Sequence, residues 1–385
     1  MRRKARFRTG VVDFGLPSAG RPDLALRASR WTAAAAGIDT FFVADHLIGA
    51  LPPSLWQPKY IAASRVIPDV NAHMECWNLL GYLAGRYPRT RMRFGVAVTD
   101  AGRRNPAVTA QAAATLHVLT RGRAILGLGP GERENNEPFG VAWDRPVARF
   151  EEAVATIRAL WNSGGELVNR DSEFFPLRDA IFTVPPYRGT RPEMWIGGQG
   201  PRMLRITGQH GDAWCPMSFG QQPKDYLRGL DVVRTAAVNA GRDPDAVTPA
   251  AVLLVLAAPS QGMIDEITNS VGVRAFGLCV PAAMWARHGV EHPLGPDFSG
   301  LQDLLPHLID HDTAMSYVDQ VPPSLVREYC LAGTPGEIRD RLADWRDHGL
   351  RHALLLNLGS FGRGVRQSAL AMKSFVQAVR SARTL

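Results

Sequence analysis

The chain has 385 residues, of which 45% are hydrophobic, so it can bury a large core in one barrel or two ordinary domains, and extensive disorder is excluded. The net charge of +8 suits an anionic small molecule, but the basic residues form no tract and are not interleaved with aromatic residues, so nucleic-acid binding is not predicted. The four cysteines lie far apart without a C-x-x-C pair, which argues against a disulfide framework or a thiolate zinc site and indicates reduced core thiols.

The first part of the chain alternates between strands and helices. The N-terminal MRRKARFRTGVVDFG lacks a following apolar region, and no window approaches the roughly 18 apolar residues of a membrane span, so we expect a cytoplasmic protein without stable membrane insertion. Strands are predicted over 7–14 and 40–44, with a helix over 23–36 between them. A long Pro-rich loop over 51–71, expected to wrap over one end of the fold, precedes a helix near 75–85.

The central stretch, 91–139, reads as strand, loop, helix, strand and loop. Strands are predicted over 91–98 and 124–129, and a helix over 106–119 begins after Asn105, which suits an N-cap. In α/β folds, chemistry lies at the carboxyl ends of the strands. Polar residues crowd the carboxyl ends of these two strands: Thr99, Asp100, Arg103, Arg104 and Asn105, then Glu132, Arg133, Glu134, Asn135, Asn136 and Glu137.

The remaining elements complete about eight strand and helix alternations, the number that a (β/α)8 TIM barrel needs. Between 259 and 333 a segment rich in His, Pro and Gly shows helical pieces but no clear strand, so we interpret it as an insertion before the last strand. No linker is visible, and a single domain over 1–385 is predicted. The elements expected after the central stretch are helices over 146–161, 201 onward, 223–240 and 335–348, a hairpin-like segment over 166–187, and strands over 193–196, 212–217, 249–257 and 352–358.

Two short motifs after predicted strands are candidates for chemistry. Asp45 and His46 follow a buried run directly, where a rigid element would hold both side chains toward a cavity; the alternative is an ordinary loop pair. The run Gly197, Gly198, Gln199, Gly200 and Pro201 lies between a strand and a helix start. It has the features of a phosphate cradle, to which Arg202 could add charge, and the alternative is a tight turn without a ligand.

Two further motifs suggest functions that their context disfavours. The GLGPG run over 127–131 lacks the third glycine of a dinucleotide fingerprint and opens no helix, so a nicotinamide site is not predicted. His288, Glu291 and His292 spell H-x-x-E-H, a zinc-peptidase pattern that requires an unbroken helix. Gly289 and Pro293 make such a helix poor, so no metal site is predicted.

The stretch TDAGRRNPAVTAQAAATLHVLTRGRAILGLGPGERENNEPFG resembles the bacterial luciferase-like superfamily and, within it, the branch that uses the deazaflavin coenzyme F420. The resemblance continues through VARFEEAVATIRALWNS, PEMWIGGQGPRMLRITG and ARHGVEHPLGPDFSG and covers most of the chain. It implies a (β/α)8 barrel whose late insertion covers the pocket, and a homodimer.

The resemblance also implies roles for individual residues. Asp45 would contact the deazaflavin ring, with His46 beside the transferred hydride and Glu132 at a position proposed for proton transfer. A cis peptide bond, expected between Ala97 and Val98, would bulge against the ring. The remaining implied contacts are Thr99 and Asn105 with the ring or tail, the glycine run with the phosphate, and Trp285 and His288 at the substrate entrance.

The resemblance implies an F420-dependent oxidoreductase that moves a hydride between the deazaflavin and a carbonyl or alcohol carbon, and in its nearest form it implies the keto group of a long lipid as the substrate. Hydride addition to a ketone requires a proton, which either His46 as imidazolium or a protonated Glu132 could supply; the sequence does not choose between them. The alternatives are an FMN-dependent monooxygenase of the same fold, which would consume oxygen, and a coenzyme carrier without catalysis.

Overall fold

A computed structural model describes residues 6–385, so the basic N-terminal residues 1–5 lie outside it. Eight parallel strands form a closed barrel, because β8 pairs with β1 in the register Arg8 to His352. This confirms the predicted (β/α)8 barrel. The strands are β1 (Arg8–Asp13), β2 (Thr40–Val43), β3 (Arg93–Asp100), β4 (Ala124–Gly129), β5 (Glu193–Ile196), β6 (Ala213–Trp214), β7 (Thr248–Ala257) and β8 (His352–Asn357).

Helices surround the barrel, and local sequence signals explain their ends. The backbone of Gly37 adopts a left-handed conformation with φ of 76° and ends the first helix, and the Asn105 side chain accepts a hydrogen bond from the backbone N–H of Ala107 at the start of the third. No helix in residues 6–385 is long and apolar enough to cross a membrane. The helices are α1 (Leu24–Ala36), α2 (Cys76–Arg86), α3 (Pro106–Leu119), α4 (Pro146–Asn162), α5 (Pro201–His210), α6 (Pro223–Asn239), α7 (Pro335–Asp347) and α8 (Val365–Ala382).

The barrel strands are buried on both faces, which is why they read as continuous apolar runs in the sequence. In β2, Phe41 packs outward against the helices, while its neighbour Phe42 points into the barrel and lies 5.4 Å from the ring of Trp195. Side chains alternate along a strand, so one apolar run fills both the outer and the inner core. All four cysteines are free and buried, as predicted.

The segment between β7 and α7 contains the helical pieces that the sequence predicted and one strand that it did not. Cys330–Gly333 pairs in parallel with Leu254–Ala257 of β7. The prediction of no clear strand was therefore wrong at these four residues, because a pairing so short depends on the neighbouring strand rather than on its own pattern. The helices of this segment are Gln261–Thr268, Val271–Arg274, Ala282–Arg287, His311–Gln320 and Pro323–Tyr329.

Two other connections have structure of their own. The predicted hairpin-like segment contains Val168–Arg170 paired antiparallel with Leu177–Ala180. The Pro-rich loop after β2 contains two short 3-10 turns, Pro53–Leu55 and Ala62–Arg65.

Candidate active site

A cavity of about 410 Å³ opens at the carboxyl ends of the barrel strands. Its floor is apolar and includes Val12, Phe42, Trp195 and Leu354. Residues of the segment between β7 and α7 contribute to its wall, namely Cys279, Pro281, Ser299, Leu301 and Gln302. Of the residues predicted for the site, the cavity brings together His46, Ala97, Val98, Glu132, Gly197, Gly198, Gln199 and Gly200.

The wall formed by β3 carries a bulge at Ala97 and Val98. The peptide bond between these residues is cis, at the predicted position, and the pairing of β3 with β4 shifts register between Val96 and Thr99. Only glycine fits opposite the bulge, because a Cβ added at Gly129 would lie 2.7 Å from Cγ2 of Val98. The glycines of the GLGPG run thus allow two strands to approach closely.

His46 is held by Asn135, which follows β4. The Asn135 Oδ1 accepts hydrogen bonds from the backbone N–H groups of Leu47 and Ile48 at 2.6 and 3.2 Å, which fixes the orientation of the amide. The Nδ2 of Asn135 therefore donates to Nδ1 of His46 at 2.9 Å. Since Nδ1 accepts this bond, a neutral His46 carries its proton on Nε2.

Burial and the nearby Arg103 guanidinium lower the pKa of His46 to about 4. A second ring, His73, lies 5.5 Å from His46 between centroids, and burial together with His46 lowers its pKa to about 4 as well. The Nδ1 of His73 donates to the carbonyl oxygen of Phe14 at 2.8 Å. Both imidazoles are therefore neutral at pH 7 and act as hydrogen-bonding groups rather than cations.

Glu132 lies in the cavity wall just beyond β4. Burial, followed by the negative charge of Asp100, raises its pKa to about 7, against the opposing effects of Arg103 and a hydrogen bond from the Asn135 side chain. A carboxyl group with such a pKa exists in both protonation states near neutrality, as a general acid requires. Asn135 thus contacts both candidate acid–base groups.

Glu134 lies behind this wall and is fully buried. Neither carboxyl oxygen has a hydrogen-bond partner among the described residues. Burial, with Glu132 nearby, raises its pKa above the ordinary value. A carboxylate in this position would be left without compensation, so the neutral acid is the form that the fold accommodates.

Asp45 and Thr99, predicted to contact the coenzyme, lie together but are not among the residues that line the cavity. The Asp45 carboxylate forms an ion pair with Arg103 at 2.8 Å and accepts a hydrogen bond from the Thr99 hydroxyl at 2.5 Å. Asp45 is 7% exposed, and a buried carboxylate requires such partners. In this arrangement Asp45 anchors the loop that carries His46, since Arg103 also donates to the Asp45 carbonyl oxygen at 2.9 Å.

The glycine run after β5 forms one end of the cavity. No side chain caps the N-terminus of α5 at Gly200, and a Cβ added at Gly200 would meet no atom within 4 Å. The backbone N–H groups of Arg202 and Met203, in the first turn of α5, are therefore without a side-chain cap at the positive end of the helix dipole. This geometry provides the donors and the room that a phosphate group needs.

Four other predicted site residues do not line the cavity. Asn105 is an exposed N-cap, and Arg202 forms an ion pair with Glu151 of α4 at 2.5 Å. Trp285 is fully buried, and its indole N–H donates to the carbonyl of Gly277. The helix containing Trp285 ends at Arg287, so the H-x-x-E-H motif is not helical, as predicted, and His288 pairs with Glu328 at 2.6 Å.

Three residues of the site were not predicted. Asn135 and Arg103 belong to the polar clusters that follow β4 and β3. Their positions at the strand ends indicated the site, but the sequence did not identify their partners, His46 and Asp45. His73 lies in the irregular chain before α2, where no pattern indicated a function.

Comparison with known proteins places this barrel in a family. The luciferase-like monooxygenase family model matches residues 25–352. A phthiodiolone/phenolphthiodiolone dimycocerosates ketoreductase from Mycobacterium sp. (strain JLS) is 53% identical over 381 residues, covering 98% of this chain and 99% of the relative. The protein of the same name from Mycobacterium tuberculosis is 50% identical over 380 residues, covering 98% and 99%.

Solved structures share the fold at low sequence identity. An F420-dependent secondary alcohol dehydrogenase in complex with an F420-acetone adduct has a TM-score of 0.73 and 18% identity, covering 98% of this chain and 99% of that chain. The coenzyme F420-dependent tetrahydromethanopterin reductase from Methanopyrus kandleri has a TM-score of 0.72 and 16% identity, covering 96% and 98%. The chain therefore belongs to the luciferase-like monooxygenase family, and it is an oxidoreductase.

Proposed function

We propose that the chain is a coenzyme F420-dependent ketoreductase that reduces the carbonyl group of a long-chain lipid. The observation that carries this proposal is a pair of groups in the wall of one cavity: Glu132, with a pKa of about 7, and a neutral His46. Both form a hydrogen bond with the side-chain amide of Asn135. Ketone reduction requires a proton donor at neutral pH, and Glu132 provides one.

The wall of the cavity supports the proposal of a flat tricyclic ring with a phosphate-bearing tail. A Cβ at Gly197 would lie 3.7 Å from Cγ1 of Val98, so the bulge of β3 and the glycine run form neighbouring parts of one smooth wall. The ring would lie against this wall, and the phosphate would accept hydrogen bonds from the N–H groups beyond Gly200. When bound, reduced F420 would supply a hydride to the carbonyl carbon.

The protein groups divide the remaining chemistry. The Nε2–H of His46 donates a hydrogen bond to the carbonyl oxygen and stabilises the negative charge that develops there. The oxygen then takes the proton of Glu132, and the electron pair of the broken O–H bond stays on the Glu132 carboxylate. His46 is not the acid in this scheme, since its pKa of about 4 leaves it neutral at pH 7.

The lipid substrate is inferred from the relatives and from the cavity. Relatives that share about half of their residues with this chain are named ketoreductases of phthiodiolone lipids. The apolar floor formed by Phe42, Trp195 and Leu354 is compatible with a hydrocarbon substrate. The homodimer implied by the family resemblance stays a prediction, which sedimentation equilibrium would check.

The first experiment is a side-by-side titration with F420 and FMN that follows intrinsic tryptophan fluorescence. We expect F420 to bind more tightly, and reduced F420 to be oxidised by a long-chain ketone without oxygen. Preference for FMN, with oxygen consumed, would instead indicate the monooxygenase alternative. Binding of F420 without turnover of any ketone or alcohol would indicate a coenzyme carrier.

A charge variant tests the phosphate cradle separately. Gly200→Asp places a carboxylate in open space, so we expect folding to be unaffected and F420 affinity to fall at least about ten-fold. The matched control is Gly336→Asp, since Gly336 also lies in a first helical turn with no atom within 4 Å of an added Cβ. Equal F420 affinity in both variants would place the phosphate elsewhere.

A further inference from the structure

A second, smaller chamber of about 40 Å³ lies beside the main cavity. Phe14 and His46 line both spaces, so His46 separates the proposed reaction centre from this side chamber. The other walls come from the loop after β2 and from the segments that follow β7 and β8. The chamber is lined by Phe14, Leu16, His46, Gly49, Ala50, Leu51, Trp56, Val70, His73, Phe276 and Phe361.

Aromatic rings fix the shape of the side chamber. The ring of Phe361 makes edge-to-face contacts with Phe14, Trp56 and Phe276, with centroid separations of 6.3, 5.9 and 4.9 Å. Such contacts stabilise one arrangement of the rings beyond the burial of their area. The chamber is therefore a preformed apolar space rather than a gap that neighbouring side chains could fill.

Three polar side-chain atoms around the side chamber already have partners. The indole N–H of Trp56 donates to the carbonyl of Ile67 at 2.7 Å, Nδ1 of His73 donates to Phe14, and Nδ1 of His46 accepts from Asn135. Apart from the Nε2 atoms of the two imidazoles, the lining side chains offer no further polar atom, so ordered water finds few partners in this space. Its walls suit saturated carbon instead.

We propose that the side chamber binds the shorter hydrocarbon arm of the ketone substrate, beside His46, while the long chain stays in the main cavity. This inference rests on the proposed function, because a carbonyl between His46 and Glu132 places one arm of the ketone beside His46, which lines both spaces. The chamber then selects for a straight chain of limited length, while the carbonyl stays in reach of both groups.

The test is a binding series of ketones with one fixed long chain and a second arm of increasing length, measured by calorimetry without coenzyme. In the wild-type protein we expect the Kd to fall about four-fold for each added methylene, the equivalent of about 0.8 kcal/mol, until the chamber is full. Beyond that length the Kd should change little. Because the measurement needs no turnover, it is independent of whether the protein reduces ketones.

Two variants should move the length limit in opposite directions. Ala50→Leu adds a branched side chain to the chamber wall, so the Kd should stop falling at a shorter chain, with a loss of about ten-fold for the longest ketones. Val70→Ala removes both γ-methyl groups from the wall and should extend the limit to longer chains. Misfolding would weaken binding at all chain lengths and could not shift the length limit in opposite directions in the two variants. Ala28→Leu, at an exposed position of α1, is the matched control.

The outcomes separate the two proposals. An equal chain-length limit in all three variants, or a Kd independent of chain length in the wild type, would overturn the assignment of the side chamber. Failure of any ketone to oxidise reduced F420, with the chain-length pattern intact, would instead overturn the proposed reaction and leave the chamber as a hydrocarbon site.

Discussion

Asn135 donates a hydrogen bond to His46 although 89 residues separate them in the chain. The same amide is held by two backbone N–H groups that follow His46, so the loop after β4 determines which nitrogen of an imidazole after β2 carries the proton. The two loops therefore form one unit at the barrel mouth, and Glu132 belongs to it through its hydrogen bond with Asn135.

Asn135→Asp should reverse the tautomer of His46. A carboxylate facing Nδ1 accepts a hydrogen bond, so Nδ1 becomes the protonated nitrogen, and the pKa of His46 rises from about 4. Nitrogen NMR of labelled histidine would report both changes, and we expect ketone turnover to fall by about ten-fold or more. Asn105→Asp is the control, since either residue serves as an N-cap. An unchanged imidazole spectrum in Asn135→Asp would contradict this assignment.

The pH dependence of turnover should follow Glu132. A general acid acts only when protonated, so with a pKa of about 7 the rate of ketone reduction should fall as the pH rises through about 7. Glu132→Gln should lose this limb and lower turnover by about 10² to 10⁴, with F420 affinity nearly unchanged. Glu137→Gln, at an exposed carboxylate paired with Arg133, should behave as wild type. Persistence of the same limb in Glu132→Gln would remove Glu132 from the acid role.

The sequence predicted the barrel well because its strands are buried on both faces and its helices carry their own start and stop signals. It also predicted which strand ends meet at the mouth, as shown by His46 and Glu132 in one cavity wall. The direction of individual side chains was not predictable. Asp45 lies next to His46 in the chain, yet it pairs with Arg103 and does not line the cavity, since a buried carboxylate requires a cation.

Side-chain partners that the sequence does not reveal account for the remaining differences. Arg202 follows the glycine run as expected, but Glu151 of α4 pairs with its guanidinium. The family resemblance placed Trp285 at the substrate entrance. The hydrogen bond from its indole N–H to the carbonyl of Gly277 places it in the core instead. Neither contact leaves a periodic or compositional trace in the chain.

Removing only one partner of the ion pair between Asp45 and Arg103 should destabilise the fold strongly. Arg103→Leu leaves the buried Asp45 carboxylate with the Thr99 hydroxyl and with Arg104, whose guanidinium lies 3.8 Å away, so we expect a loss of about 3 kcal/mol in the free energy of unfolding. Urea denaturation would measure it. Combining Arg103→Leu with Asp45→Asn should restore part of the lost stability, because the buried carboxylate charge of Asp45 is gone. Arg104→Leu is the control. If it lost as much stability as Arg103→Leu, Arg103 would not be the main partner of Asp45.

Glu134 should make the protein less stable as the pH rises. Its folded pKa is raised by burial and by Glu132, so between the ordinary pKa of a glutamate and the folded pKa the folded state binds more protons than the unfolded state. The free energy of unfolding therefore decreases as the pH rises across that interval, by about 1.4 kcal/mol for each step of one in pH. Glu134→Gln keeps the shape without the ionisable group, so its stability should decline less between about pH 5 and about pH 9. Glu166→Gln, in an exposed turn, should keep the wild-type slope. Equal slopes in Glu134→Gln and the wild type, measured by urea denaturation, would mean that a partner for the Glu134 carboxylate exists in solution.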